Sequence, residues 1–330
     1  MKPRIAIILF ALWATNSAAD TRMEMTRYFD LHSDPWLNLH HFLYQWARAE
    51  EGIGEGRQKV VVPERDSIGI LAGDERDTWN TALAFYRQNI AGLSHFDDAM
   101  LTQKFMLLRL GGNLDGRPES GIAGIGEVLE LAMPIYADTW WPDHDDGNRQ
   151  WLADIAVQLR ASEQEFVDLM ERLFNAEWPD EPRRIDVSAY ANFRAGYTAL
   201  GHTVMYSSDP GVAGIYGLEM LYHEVQHVRE ISRPSRTQLA QAFDQSGVPV
   251  PRNLSHGIIF GTAGAFTTSI AHLFGIESHQ TYWAREGFAE LSSWATVFAA
   301  VESHWLPAVH GSVTPDEALK DLSGYFKAVE

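Results

Sequence analysis

The chain has 330 residues, 45% hydrophobic and 21% charged, with eleven Trp, eleven Tyr, sixteen Phe and no Cys; this is material for a large packed core and not for a disordered chain. Its formal charge of −18 repels phosphate backbones and anionic lipid, which argues against nucleic-acid binding and polybasic membrane attachment. The absence of cysteine excludes thiol catalysis and every Cys-based zinc site.

Residues 1–19 carry the three parts of a secretory signal. Lys2 and Arg4 are positive, Ile5 to Trp13 is a short apolar run, and Ser17-Ala18-Ala19 supplies small residues for cleavage. The apolar run is too short for a comfortable membrane span. The expectation is an exported protein, periplasmic or extracellular, that begins near Asp20 and has no membrane attachment after cleavage.

Residues 20–180 read as a helical N-terminal region. Apolar residues recur at helical spacing over 36–49, 77–93, 97–110, 126–133 (stopped by Pro134) and 148–174. Ser162 with Glu165 is a capping box that would divide the last segment. The glycine-rich breaks GGNLDG (111–116) and GIAGIG (121–126) lack the context of phosphate loops. Asp143 to Asn148 lacks EF-hand spacing and reads as a solvated turn and helix cap. His40 and His41 read as packing residues with local hydrogen bonds.

After Pro182 the pattern changes. Residues 184–190 alternate with period two, and 203–208 are rich in strand formers, ending at the turn Asp209-Pro210-Gly211. Helical patterns resume over 214–231, 253–274, 281–301 and 315–327. The whole is therefore expected to be mainly α with a small sheet (α+β), residues 181–330 forming a catalytic region, either separate from the helical part or in one compact unit with it.

Residues 221–230, LYHEVQHVRE, hold the string His223-Glu224-Val225-Gln226-His227. Positions four apart share one helix face, so both imidazoles can aim at one ion. A catalytic zinc site takes three protein ligands and leaves a position for water. Glu224, beside that face, is placed to act as general base on that water and to carry the proton to a leaving amine. Leu218, Leu221, Tyr222, Val225 and Val228 form the buried stripe that would hold the helix, and Glu219, one turn earlier, is a candidate acceptor for the His223 ring. With 13 His in the chain, the string is expected by chance on the order of a few hundredths of a time.

The string resembles the active-site helix of zincin-type zinc metallopeptidases, in which an edge strand precedes the helix and binds extended substrate; residues 203–227 resemble that order. The metzincin continuation is absent, since no Gly or His follows His227 at the required spacing. The third ligand has two main candidates. Glu286 lies in EGFAE (286–290), which resembles the second zinc motif of gluzincins. His256 opens the apolar segment NLSHGIIFGTAGAF (253–266). Glu230 and Glu277 are further alternatives.

NLHHFLYQWARAE (38–50), WWPDHDDGNRQW (140–151), the HEVQH helix, LSHGIIFGTAG (254–264) and HWLPAVHGSVTPDEAL (304–319) together resemble a group of uncharacterised exported bacterial proteins. In that group a helix opening with a His like His256 follows the HExxH segment, which favours His256. Ala265 stands where the group tends to carry a Glu.

Tyr190, Tyr206 and Tyr282 are candidate oxyanion partners, and His304 and His310 read as surface residues. The expected function is an exported Zn2+-dependent hydrolase acting on a peptide or protein substrate, with Glu224 catalytic and His223, His227 and either His256 or Glu286 on the metal. The alternative is a non-catalytic zincin-like binding or structural protein that keeps the metal.

Overall fold

A computed structural model describes residues 21–53, 62, 64–113, 121–191 and 195–329. The expected signal and residues 114–116 of GGNLDG lie outside these.

Two short strands missed in the sequence open the structure: β1 (Arg22–Met25) and β2 (Phe29–His32). At four residues each, neither shows a pattern longer than a turn. Helices α1 (Pro35–Glu50), α2 (Gly73–Asn89), α3 (Asp98–Leu108), α4 (Ile125–Thr139) and α5 (Trp141–Phe174) follow. The buried Asp34 side chain caps α1 by accepting from the Trp36 and Leu37 amides, both at 3.0 Å, and Pro35 occupies the first turn, where its missing N–H costs nothing. Pro134 does not stop α4, which continues to Thr139.

Helix α5 is one element of 34 residues. Asp143 to Asn148 are helical, not a solvated turn, and His144 and Asn148 are buried. The Ser162 hydroxyl bonds to Gln158 O at 2.7 Å and to Tyr222 Oη at 2.7 Å, so it ties α5 to a later helix and does not begin a new one.

The sheet is completed by β3 (Arg183–Ser188), β4 (Gly196–Ala199) and β5 (His202–Tyr206), in the order β1-β2-β3-β5-β4. β2, β3 and β5 run parallel, and β1 and β4 are antiparallel edges. Because β2 pairs with β3, the two expected regions share one sheet. Both of its faces are covered, as parallel strands require. Leu37 and Leu101 of the early helices pack with Tyr197, Ala199 and Val204. Ile185, Val187 and Met205 join the core formed with α5 and the helices that follow. The fold is mainly helical with a small mixed sheet, as expected.

Those helices are α6 (Ile215–Val225), α7 (Arg229–Ser246), α8 (Leu254–Ala271), α9 (Tyr282–Arg285), α10 (Ala295–Ala300), α11 (Leu306–Val309) and α12 (Pro315–Val329). The segment 214–231 is thus two helices with a turn at 226–228. Segment 281–301 is also broken. Gly287 adopts φ +68°, open to glycine and strained for other residues, and ends α9 at Glu286. Glycines give α8 its close neighbours. A Cβ on Gly257 or Gly261 would lie 2.5 Å from a methyl carbon of Val297 or Val301, and one on Gly264 would lie 2.7 Å from a Thr281 methyl carbon.

Candidate metal centre

Helix α6 carries the apolar stripe anticipated from sequence, with Leu218, Leu221, Tyr222, Val225 and Val228 all buried. Tyr222 stacks on Phe166 of α5 at 4.1 Å between centroids. This fixes the helix rotation and turns His223 and Glu224 toward the side where α8 and β4 lie. The helix ends at Val225, but the backbone stays coiled: the Gln226 amide donates to His223 O and the His227 amide to Glu224 O, at 3.2 and 3.0 Å. His227 therefore remains one turn beyond His223 although it stands in the turn before α7.

His256, in the first turn of α8, completes the group. Its Nε2 is 3.0 Å from His223 Nε2, and His227 Nε2 is 3.4 Å from the same atom. All three ligand atoms lie within 4.8 Å of one another. A tetrahedral ion with metal–nitrogen bonds of about 2.0–2.1 Å holds its ligands roughly 3.3–3.4 Å apart, so the three atoms lie close enough to share one ion. Neutral imidazoles in a ring of three cannot all satisfy one another through Nε2, whereas a shared cation would satisfy every lone pair. Burial keeps the rings in that neutral form: it drives His223 well below the ordinary imidazole range, His227 to about 3 and His256 to about 4.

Among the described residues no carboxylate joins this group. Glu286 caps the end of the four-residue α9, outside the triad, because EGFAE turns at Gly287 and does not continue as an α-helix. Glu230 pairs with Arg183 at 2.6 Å, and Glu277 is exposed. Glu219 does not orient His223. Its carboxylate accepts from the Tyr282 amide and pairs with His279 Nε2, each at 2.8 Å. His223 Nδ1 is buried with no partner among the described residues.

Glu224 is buried, and burial pushes its carboxyl up to about 7, opposed by a hydrogen bond from Thr198. The Thr198 hydroxyl is also 2.9 Å from Glu224 O and 2.7 Å from Thr203 Oγ1, so β4 is pinned to the end of α6. Around these groups opens a cavity of about 840 Å³. Residues 195–200 line it together with Phe96 and Leu101, and Phe260, Tyr282, Phe288, Leu291 and Trp294 supply an aromatic and apolar lining.

The strand at this cleft is β4, not the predicted segment 203–208, which forms the interior strand β5. The Tyr206 amide donates to Ala195 O at 2.8 Å. Antiparallel alternation then turns the main-chain groups of Gly196 and Thr198 toward the free edge. Tyr197 anchors the strand from the other face: its hydroxyl bonds to His41 Nε2 at 2.8 Å, its ring stacks on His95, and Lys104 Nζ lies 4.7 Å from the ring centroid. Lys104 is 2% exposed, and burial lowers its ammonium to about 7. Sequence reasoning missed this support because its members come from three separate segments.

Of the three candidate tyrosines, Tyr282 lines the cavity. Tyr190 donates to Asp66 within the helical core, and Tyr206 packs against Tyr190. His40 bonds to Tyr86 Oη at 2.8 Å, and His41 to Tyr197, as packing histidines do. His310 is exposed, and His304 bonds to Asp321 at 2.6 Å. No family model, curated protein or solved structure matches the chain.

Proposed function

We propose that the protein is an exported zinc-dependent hydrolase that cleaves peptide bonds. The observation that carries this reading is the convergence of three imidazole Nε2 atoms beside a buried glutamate in an open cleft. Three protein ligands and an accessible cavity are the arrangement of a catalytic zinc site, whereas a structural site closes with four. An all-imidazole set suits zinc among several divalent metals, and the HExxH spacing directs the choice to zinc.

His223, His227 and His256 would hold the ion, which when bound supplies a Lewis acid that acidifies water and polarises a carbonyl. Glu224 takes the proton from the attacking water on its carboxylate and delivers it to the leaving nitrogen. Its raised affinity for a proton in the buried site suits both steps. Thr198 holds β4 against α6, so the open edge at Gly196 and Thr198 runs past the site at a fixed height. An extended peptide can add there as a further strand. The order edge strand, helix and catalytic glutamate is that of zincin-type metallopeptidases, and the reading extends to that class.

The test is metal content by mass spectrometry on the mature protein, followed by cleavage of a peptide library by wild type and Glu224→Gln. One zinc per chain with cleavage lost in Glu224→Gln supports the reading. A wild type that takes up no zinc after reconstitution overturns it.

A further inference from the structure

The cleft that holds the triad contains one side chain without a task in the scheme above. Arg236, on α7, lines the cavity together with Glu224, His227 and His256. Among the described residues it is the only Lys or Arg there, and it makes no hydrogen bond or ion pair. It is close enough for its charge to disfavour protonation of both His227 and His256. Several arginines are engaged: Arg172 with two main-chain carbonyls, Arg183 with Glu230, Arg184 with Asp186 and Arg285 with Gly211 O. Arg229, Arg233 and Arg252 are exposed and, among the described residues, unpaired like Arg236, but of these four only Arg236 lines the cavity. The chain as a whole carries a charge of −18. A cation facing an apolar cleft in such a protein offers the local attraction that an anionic ligand needs, through a fork suited to carboxylates.

The rest of the lining states what accompanies that anion. Phe96, Leu200 and Leu291 are exposed at 56%, 76% and 43%, although they belong to the cavity wall. Phe260, Phe288 and Trp294 form a cluster beside His256, with Trp294 in edge contact with Phe288 at 5.0 Å. Exposed large apolar groups gathered around one cleft indicate an apolar ligand.

We propose that Arg236 is the anion subsite of this cleft, so that the preferred ligand is a peptide bearing a carboxylate next to bulky apolar residues. The carboxylate belongs to a free C-terminus or to an acidic side chain; the recognition chemistry is the same. This rests on the hydrolase reading for the peptide but not for the charge preference, which is a binding property.

The test is calorimetric binding of three matched probes to metal-free and zinc-loaded protein: acetyl-Phe-Leu with a free carboxylate, its amide, and acetyl-Glu-Phe-Leu amide. Wild type should bind at least one carboxylate probe about tenfold or more tighter than the neutral amide, in the metal-free form as well. Arg236→Met should abolish the difference and Arg236→Lys should retain part of it. The probe that gains identifies the source of the carboxylate. Equal binding of acid and amide, no binding of any probe, or a preference that survives Arg236→Met overturns the proposal. Failure of the hydrolase reading looks different: the charge preference persists while wild type and Glu224→Gln are equally inert toward every peptide.

Discussion

His256 Nε2 stands 3.0 Å from His223 Nε2, although 33 residues separate them and they belong to different helices. Removing one of three imidazoles that share an ion leaves two ligands, which bind more weakly. His256→Ala and His227→Ala should each lower zinc affinity by two or more orders of magnitude, while Glu286→Ala leaves it unchanged. Competition with a chromophoric chelator measures this directly. Loss of zinc in Glu286→Ala with retention in His256→Ala would reverse the ligand assignment.

Glu224→Gln keeps the shape of the side chain and removes its base. Zinc content should stay near that of wild type, while peptide cleavage falls by at least about 10²-fold. Single-turnover kinetics on a library hit separates the chemical step from binding. Unchanged cleavage would remove Glu224 from the mechanism.

The buried imidazoles make the metal-free protein acid-sensitive. His40 and His227 are held at about 3 and His256 at about 4, against roughly 6.5 in the unfolded chain. Between these values the unfolded state binds more protons, so the stability is complete above pH ~6.5 and is lost as pH falls toward the folded values. Thermal melts of the metal-free protein at pH 7.5, 6 and 5 should show a falling midpoint. The fall should be shallower in the His227→Ala, His256→Ala double variant.

Lys104 has the opposite placement on the pH scale. Its folded value of about 7 lies well below the ordinary lysine value, so stability rises with pH from about 7 to roughly 10.4 as the unfolded chain alone holds the proton. Lys104→Met should therefore raise the melting temperature most at or below pH 7, with the gain shrinking toward pH 10. A variant that melts lower at every pH would show that its contact with the Tyr197 ring outweighs the cost of burial.

The sequence made some parts of this site legible and hid others for identifiable reasons. His223, Glu224 and His227 are local: their spacing and the stripe behind them need no knowledge of tertiary structure. His256 and Glu286 could not be separated from residues alone, since the choice depends on how α8 crosses α6 and on the left-handed turn at Gly287. β4 was missed because it is four residues long and begins with Gly196, whose added Cβ would lie 2.5 Å from Val204 O. There the glycine serves a close approach of main chains, not a loop. Helix α7 was missed because Ile231, Leu239 and Phe243 supply only a thin buried edge among polar residues and Pro234.

The glycines of α8 have a consequence for the life history of the chain. They let Val297, Val301 and Thr281 press against the helix that carries His256, so that helix is packed not only on α6 but also against segments made after it. During synthesis the pair His223–His227 is made first, and the segments that pack against the His256 helix from 281–301 come later. If the three histidines hold an ion, tight capture would then be a late event of folding. A chain truncated within 281–301 would retain all three histidines but lose one or more of the contacts of Val297, Val301 and Thr281 with α8, so weaker metal uptake would report on an unfinished C-terminal segment.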